Sequence, residues 1–189
     1  MPTSPSLCLV ERCNDRSVSG TATTTILGID PGSQITGVGV VNACGAKLQH
    51  VYCESLKLPK IALGFRLKEL YARLEDVIAK TNPDVVAIEK VFLAKNPQSA
   101  LVLGHARGAA VLAAVNHDLP VIEYSATEIK KTVVGRGRAD KQQVQHMMRV
   151  LLSLRVNPDV DAADALAAAV CHAHHLQVSQ NLARGGGYS

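Results

Sequence analysis

The chain has 189 residues, 47% hydrophobic and 19% charged, a composition that fits one globular domain and excludes a disordered chain. Only 3% are aromatic, and the five Cys form no C-x-x-C pair, which excludes a platform for stacking many bases, a disulfide framework and a zinc ribbon. The formal net charge is +4, but residues 90–155 alone carry ten basic and four acidic side chains, as a face that binds a polyanion would.

Residues 25–176 form the predicted domain, preceded by a flexible extension at 1–24 and followed by a frayed tail at 177–189. Three strands with short connections open this domain, as in an antiparallel meander. They are predicted at 25–30, 35–42 and 47–55. The first strand ends in the turn Asp30-Pro31-Gly32-Ser33, because Pro31 fixes φ and Gly32 permits a positive φ.

The rest of the domain alternates helices with strands. Leucines at helical spacing predict an amphipathic helix over 62–80, and Val85–Ile88 has the continuous apolar composition of a buried central strand. The remaining predicted elements are a helix over 99–116, a strand over 119–124, and helices over 126–134, 141–154 and 160–176. This order predicts an α/β fold with a five-stranded mixed sheet and helices on both faces.

No targeting or membrane segment is evident. Residues 1–24 lack the basic start and long apolar run of a secretory signal. The most apolar later stretch, Ala109–Val115, is shorter than a bilayer span and follows Arg107. We therefore expect a cytoplasmic protein without membrane contact.

Four carboxylates stand at positions that suggest chemistry. Asp30 ends the first strand and Glu89 ends the first strand that follows a helix, and ligands collect beyond such strand ends in α/β sheets. Asp161 and Asp164 share one face of the last helix because they are three residues apart. Alanines around this pair allow that face of the helix to approach the sheet closely.

Each of these carboxylates also has an ordinary structural alternative. An Asp before Pro-Gly is a common turn former, and Glu89 is able to pair with the adjacent Lys90. Acids in a first helical turn cap free N–H groups. Asp159 is better placed for that capping role, which leaves Asp161 and Asp164 to be explained.

Taken together, the carboxylates suggest a metal site. Like charges in one cleft raise one another's pKa unless cations neutralise them. Ligation by carboxylate oxygens suits Mg²⁺ or Mn²⁺ rather than zinc, and two such ions activate water and stabilise the leaving oxygen of a phosphodiester. Combined with the basic residues 90–155, this acidic cleft points to hydrolysis of nucleic acid.

Five motifs in the domain are distinctive in their order and spacing. They are Ile26–Ser33, Ala87–Phe92, Leu103–Gly108, Lys131–Gly135 and Asp161–Ala165. Together they resemble the RuvC-type Holliday junction resolvases of bacteria over residues 25–176, whereas residues 1–24 have no counterpart in that pattern. The resemblance implies a ribonuclease H-like fold and a homodimer that resolves four-way DNA junctions by paired symmetric cleavage in recombination and repair. It also implies RuvA and RuvB branch-migration proteins as partners.

The resemblance also assigns roles to individual residues. It implies four catalytic and metal-binding residues, which are Asp30, Glu89, Asp161 and Asp164. The implied cofactor is Mg²⁺, two ions per subunit, with Mn²⁺ as a substitute. Phe92 corresponds to an aromatic side chain that wedges into the junction, and Lys130 and Lys141 correspond to lysines that bind DNA or stabilise developing charge. Arg136 and Arg138 make the following loop unusually basic and predict further phosphate contacts.

Two alternative functions are compatible with parts of the sequence. Nucleotide-binding proteins of the actin and sugar-kinase type also place Asp and Gly after a first strand, but they need a second phosphate-binding lobe that one domain cannot supply. A junction-binding module without activity is the other alternative, and the complete set of four carboxylates argues against it.

Two further motifs have structural interpretations. The soft ligands in Cys171–His175 have a spacing that fits no standard closed zinc site, so we expect a structural or surface role for them. Gly104 and Gly108 lie four residues apart among small residues, which predicts close packing of their helix. That packing serves either the core or a dimer interface.

Overall fold

The computed structural model describes residues 22–90 and 97–185. Five strands and five helices lie within those ranges. The strands are β1 Thr24–Asp30, β2 Ile35–Cys44, β3 Lys47–Lys57, β4 Val85–Glu89 and β5 Val121–Tyr124. The helices are α1 Leu63–Thr81, α2 Pro97–Val115, α3 Ala126–Val134, α4 Lys141–Leu151 and α5 Val160–Gly185. Each element predicted from the sequence has a counterpart in this series.

The five strands form one sheet in the order β3-β2-β1-β4-β5. β2 pairs antiparallel with both β1 and β3, whereas β4 pairs parallel with both β1 and β5. The predicted five-stranded mixed sheet is therefore confirmed. Because β1, β3, β4 and β5 run in the same direction, their carboxyl ends share one edge of the sheet, which we call the carboxyl edge.

Helices cover both faces of the sheet, and the side chains of β1 alternate between them. Ile26 packs in a core with α3, α4 and α5. Leu27 and Ile29 pack on the other face in a core with α1 and α2. Asp30 lies an even number of residues from Ile26, so the pleat directs its side chain toward α5 rather than toward α1.

Capping boxes define the starts of α3 and α4. The Ser125 side chain accepts a hydrogen bond from the N–H of Glu128, and the Glu128 side chain accepts one from the N–H of Ser125. Asp140 and Gln143 make the same reciprocal pair at α4. Each cap satisfies free N–H groups of the first turn. The cap at Asp140 makes Lys141 the first residue of α4.

The predicted turn after β1 is present, but Gly32 does not use the positive φ that glycine permits. Within the described residues, the glycines with positive φ are Gly45 and Gly135. A Cβ on Gly32 would lie 1.8 Å from the carbonyl oxygen of Ile35. A glycine is thus required at position 32 because the backbone of Ile35 leaves no room for a side chain. Thr36 Oγ1 closes the turn, since it accepts a hydrogen bond from the N–H of Gly32 at 3.2 Å and donates one to the carbonyl oxygen of Gly32 at 3.1 Å.

The last helix is longer than its apolar periodicity predicts. α5 continues to Gly185, beyond the predicted end at Leu176. Residues 177–184 contain neither Pro nor Gly, so the backbone continues the helix without apolar burial until glycines begin.

Helix α2 exposes an apolar surface. Ala106, Ala110 and Ala113 are buried in the core shared with α1, but a Cβ on Gly104 or Gly108 would meet nothing within 4 Å. The two glycines therefore do not pack against the core. By length and composition alone α2 is able to cross a membrane, a test that core helices of globular proteins also pass.

Candidate active site

Two of the four predicted carboxylates meet at the carboxyl edge. In the parallel pair of β1 and β4, Ile29 is the partner of Ile88, and Asp30 and Glu89 are the next residue of each strand. Neighbouring strands lie about 4.8 Å apart. The sheet register therefore places these carboxylates side by side although 59 positions separate them in the chain.

Glycines bring the other two carboxylates to the same place. A Cβ on Gly37 would lie 1.9 Å from the carbonyl oxygen of Asp161, and a Cβ on Gly28 would lie 1.9 Å from that of Ala165. Gly37 is directly opposite Asp30 in the antiparallel pair of β1 and β2. The backbone of α5 thus lies directly on β1 and β2, which carries the start of α5 next to Asp30.

The alanines of α5 were predicted to allow this close approach, but the role of the glycines on the facing strands was not. A detectable signal was present, because Gly37 and Gly39 alternate along β2 and Gly39 pairs with Gly28 of β1. A Cβ on Gly39 would meet the backbone nitrogen of Leu166 at 2.7 Å. Such a patch of glycines on one sheet face marks where another backbone approaches.

The carboxylates interact electrostatically. Burial, followed by the negative charges of Glu89, Asp164 and Asp161, raises the pKa of Asp30 to about 8. Burial also raises the pKa of Glu89, with the charge of Asp164 adding to the effect. The pKa of Asp164 is likewise raised, chiefly by burial. The structure thus brings all four predicted carboxylates into one electrostatically coupled cluster.

Two predicted lysines border this cluster. Lys141 Nζ lies 3.5 Å from Asp164 Oδ2, with most of the Lys141 side chain exposed. Lys130 of α3 and Lys141 both lower the pKa of Glu89, against the larger effect of burial. Both lysines therefore present positive charge beside the carboxylates, where a phosphodiester would approach.

The remaining predicted site residues are placed less directly. Arg136 and Arg138 are exposed in the loop between α3 and α4, the same two helices that carry Lys130 and Lys141. Phe92 lies outside the described residues. The predicted roles of these three side chains therefore remain predictions.

The carboxylates present fit divalent cations that take their remaining ligands from water and substrate. Within residues 22–90 and 97–185, no group of three or more His, Cys, Asp or Glu side chains is arranged to hold a metal ion. Mg²⁺, however, usually takes one or two carboxylates and completes its shell with waters and substrate phosphates. Burial and three neighbouring carboxylates raise the pKa of Asp30 although Lys141 acts to lower it, so a bound cation would offset negative charge that the protein leaves uncompensated.

A cavity of about 370 Å³ lies on the β3 side of the start of α5, with Ser55, Lys57, Asp159 and Ala162 in its lining. None of the four predicted carboxylates lines this cavity.

The Cys171–His175 motif packs behind the site. His172 is buried, and its Nδ1 is hydrogen-bonded to the hydroxyl of Tyr124 at 2.8 Å. The Cys171 thiol is also buried and donates to Thr132 Oγ1 at 3.5 Å. Since Tyr124 is the partner of Glu89 in the sheet, these contacts join α5 to the strand beside the site, in keeping with the expected structural role.

The charge cluster makes a stability prediction for the protein without metal. A pKa near 8 in the folded state against an ordinary value of 3.8 means that the folded protein holds the Asp30 proton more tightly. The contribution of Asp30 to the free energy of unfolding is therefore fully present below pH 3.8. It falls by about 1.4 kcal/mol for each pH unit as the pH rises from 3.8 toward 8. We expect Asp30→Asn to raise the free energy of unfolding by several kcal/mol at pH 8, and much less at pH 4.

Urea unfolding with a chelator present measures this difference. The exposed Asp76 on α1 provides the control, since Asp76→Asn should change stability by no more than about 0.5 kcal/mol at either pH. An Asp30→Asn protein that is no more stable than the parent at pH 8 would contradict the prediction. Added Mg²⁺ should reduce the difference in unfolding free energy between Asp30→Asn and the parent, because Mg²⁺ stabilises the parent.

Comparison with known proteins identifies the family. The sequence profile of the family described as crossover junction endodeoxyribonuclease RuvC matches residues 26–172. Relatives of that description include the protein of Edwardsiella ictaluri, 56% identical over 84% of this chain and 90% of the relative. The protein of Cronobacter sakazakii is 54% identical over 85% of this chain and 96% of the relative.

A solved structure supports the same relationship. The structure of Thermus thermophilus RuvC in complex with Holliday junction substrate is 32% identical, with a TM-score of 0.77, and the match covers 82% of this chain and 96% of that one. The ribonuclease H-like fold expected from the sequence is confirmed by this match. The chain therefore belongs to the RuvC family of crossover junction endodeoxyribonucleases.

Proposed function

We propose that this protein is an endodeoxyribonuclease that resolves four-way DNA junctions by paired, symmetric cleavage of phosphodiester bonds. The convergence of Asp30, Glu89, Asp161 and Asp164 at the carboxyl edge, beside two lysines, is the observation that carries the proposal. Family membership narrows the chemistry from hydrolysis of nucleic acid to cleavage of crossover junctions.

The four carboxylates act as ligands for Mg²⁺, two ions per subunit, with Mn²⁺ able to substitute. When bound, such ions supply an activated water and stabilise the leaving oxygen. Lys130 and Lys141 draw the scissile phosphate to the carboxylates and offset charge that develops on it. Arg136 and Arg138 hold the flanking backbone, and Phe92 wedges between bases at the crossover.

Symmetric cleavage of two strands requires two active sites, so we propose a homodimer. The exposed residues Leu101, Gly104, Gly108, Leu112 and Val115 follow one another at spacings of three and four along α2. They therefore form a single stripe on its outward face. The glycines allow close approach of a second backbone and the leucines offer apolar area, which suits contact with the same stripe of a second copy.

A charge placed on the α2 stripe should separate the subunits. Leu112 is 53% exposed, so Leu112→Arg is expected to leave the subunit folded. In the dimer it would bury an unpaired charge, and we expect the dissociation constant to rise at least about 100-fold. Analytical ultracentrifugation measures the change. Val150 on α4 is equally exposed at 53%, and Val150→Arg should keep the parent's oligomeric state.

Family membership also supports the proposed cellular setting. We propose action in the cytoplasm, in homologous recombination and DNA repair, together with RuvA and RuvB branch-migration proteins. The junction is then supplied by a reaction that moves the crossover point and is consumed by the paired nicks.

The function is tested with a labelled mobile four-way junction and a linear duplex of matched sequence, each incubated with and without Mg²⁺. We expect symmetric nicks in two strands of the junction, only with Mg²⁺, and little cleavage of the duplex. Equal cleavage of both DNAs would overturn junction selectivity. Binding without cleavage under all metal conditions would favour a junction-binding module instead.

A further inference from the structure

The start of α1 carries an exposed aromatic side chain that the fold does not use. Phe65 is 69% exposed, and Ile61, four residues earlier, is 45% exposed. The inward face of α1 is formed by Leu70, Leu74 and Val77, and Phe65 points away from it. Among the described buried clusters and the partly buried residues packed on them, Phe65 belongs to neither core.

The other aromatic rings in the described part of the chain have structural partners. The hydroxyl of Tyr52 donates to Glu54, that of Tyr71 accepts from Asn116, and that of Tyr124 bonds His172. Phe65 therefore stands apart as a large apolar surface left to solvent.

Basic residues outnumber acidic ones around this aromatic side chain in the sequence. Residues 57–69 contain four basic side chains and one acidic side chain, Glu69. Lys68 and Glu69 follow Phe65 by three and four residues, so both are its neighbours on the helix surface. Lys60 lies next to Ile61 in the preceding loop. We call Lys60, Ile61, Phe65 and Lys68 the α1 patch.

Hydrogen bonds join the start of α1 to the carboxyl edge. Arg66 donates to the carbonyl oxygen of Ser33 at 2.9 Å and to that of Ile61 at 3.2 Å. The N–H of Leu58 donates to the carbonyl oxygen of Gln34 at 2.8 Å. Ser33 and Gln34 belong to the turn that follows Asp30, so the patch is anchored to the turn that leaves the active site.

We infer that the α1 patch is a second DNA-binding surface, in which Phe65 stacks on a nucleobase exposed at the crossover while Lys60 and Lys68 contact backbone phosphates. Its positive charge complements DNA, and an aromatic face accepts any base without sequence preference. The inference rests on the proposed function for its choice of DNA as ligand.

The decisive variants alter the patch without touching the core. Phe65→Ala should weaken binding to a four-way junction about tenfold, whereas Phe65→Trp should bind at least as tightly as the parent because the ring is kept. The double variant Lys60→Ala, Lys68→Ala should reduce the slope of log affinity against log salt concentration by about 2, because each lysine is expected to make one phosphate contact.

Two matched controls lie far from the patch. Leu182 on α5 is 71% exposed, so Leu182→Ala removes a similar exposed apolar group. Lys80 occupies the opposite end of α1, about 22 Å along the helix from Phe65. Leu182→Ala and Lys80→Ala should both bind the junction as the parent does. Fluorescence anisotropy without Mg²⁺ measures affinity, and thermal unfolding checks each fold.

The outcomes separate this inference from the proposed function. Parent-like junction binding by Phe65→Ala would overturn the inference, even where the parent cleaves junctions. A Phe65→Ala protein with altered subunit association and unchanged DNA affinity would also overturn it, because the patch would then contact protein. A parent that binds DNA through Phe65 but cleaves no junction would leave the inference standing and refute the proposed function.

Discussion

Replacing Asp30 with asparagine is expected to reduce junction cleavage at least about 1,000-fold, the largest effect of any single side chain in this protein. Asp30 is the most strongly coupled member of the cluster, since burial and three neighbouring carboxylates act on its pKa. An amide of the same size keeps the packing but removes the negative charge that we propose to bind divalent cations. Cleavage rates at saturating enzyme over a series of Mg²⁺ concentrations measure the loss.

Junction binding should survive this change. Removing one negative charge reduces repulsion of the DNA backbone, so we expect affinity equal to or slightly tighter than the parent's. Urea unfolding of Asp30→Asn under the conditions of the cleavage assay checks that unfolding is not the cause of lost cleavage. Asp76→Asn is again the matched control and should cleave normally. Full cleavage by Asp30→Asn with Mg²⁺ would refute the assigned site.

Adding a single methyl group at Gly37 is expected to have the second largest effect. Its Cβ would lie 1.9 Å from the carbonyl oxygen of Asp161, so α5 must move away from β2. A displacement of about 1 Å at a catalytic group costs about 100-fold in rate. We therefore expect Gly37→Ala to cleave about 100-fold more slowly and to lose about 3 kcal/mol of folding free energy.

Gly64 provides the control for this substitution. It lies in the first turn of α1, where a Cβ would meet nothing within 4 Å. Gly64→Ala should gain up to about 1 kcal/mol of stability, whereas Gly37→Ala should lose stability. Urea unfolding of the two variants should therefore shift in opposite directions, and the cleavage rate of Gly37→Ala is compared with that of the parent. A Gly37→Ala protein as active as the parent would show that contact between α5 and β2 does not position Asp161.

Much of the site was predictable because its signals are local. Asp30 and Glu89 each follow an apolar run, and the end of such a run indicates the end of a strand. Asp161 and Asp164 share a helix face because their spacing alone requires it. The motifs also carried a resemblance strong enough to name the family, which the comparisons confirmed.

The α1 patch was not predictable from the same analysis. Residues 25–89 carry seven basic and seven acidic side chains, and that balance conceals the basic run at 57–68. Exposure of Phe65 was also hidden, since an apolar residue within an amphipathic helix is ordinarily assigned to the core. Only the packing of α1 revealed which side Phe65 faces.

The amino-acid sequence by itself determined the number and type of elements, the alternation of helices and strands that builds a two-faced sheet, and the four carboxylates that are predicted to form the site. These features follow from residue spacing within single elements. Tertiary structure alone decided the strand order, the direct contact of α5 with the glycines of β1 and β2, and the raised pKa of Asp30. These depend on the distance between groups as far apart in the chain as Asp30 and Asp164, which local spacing does not constrain.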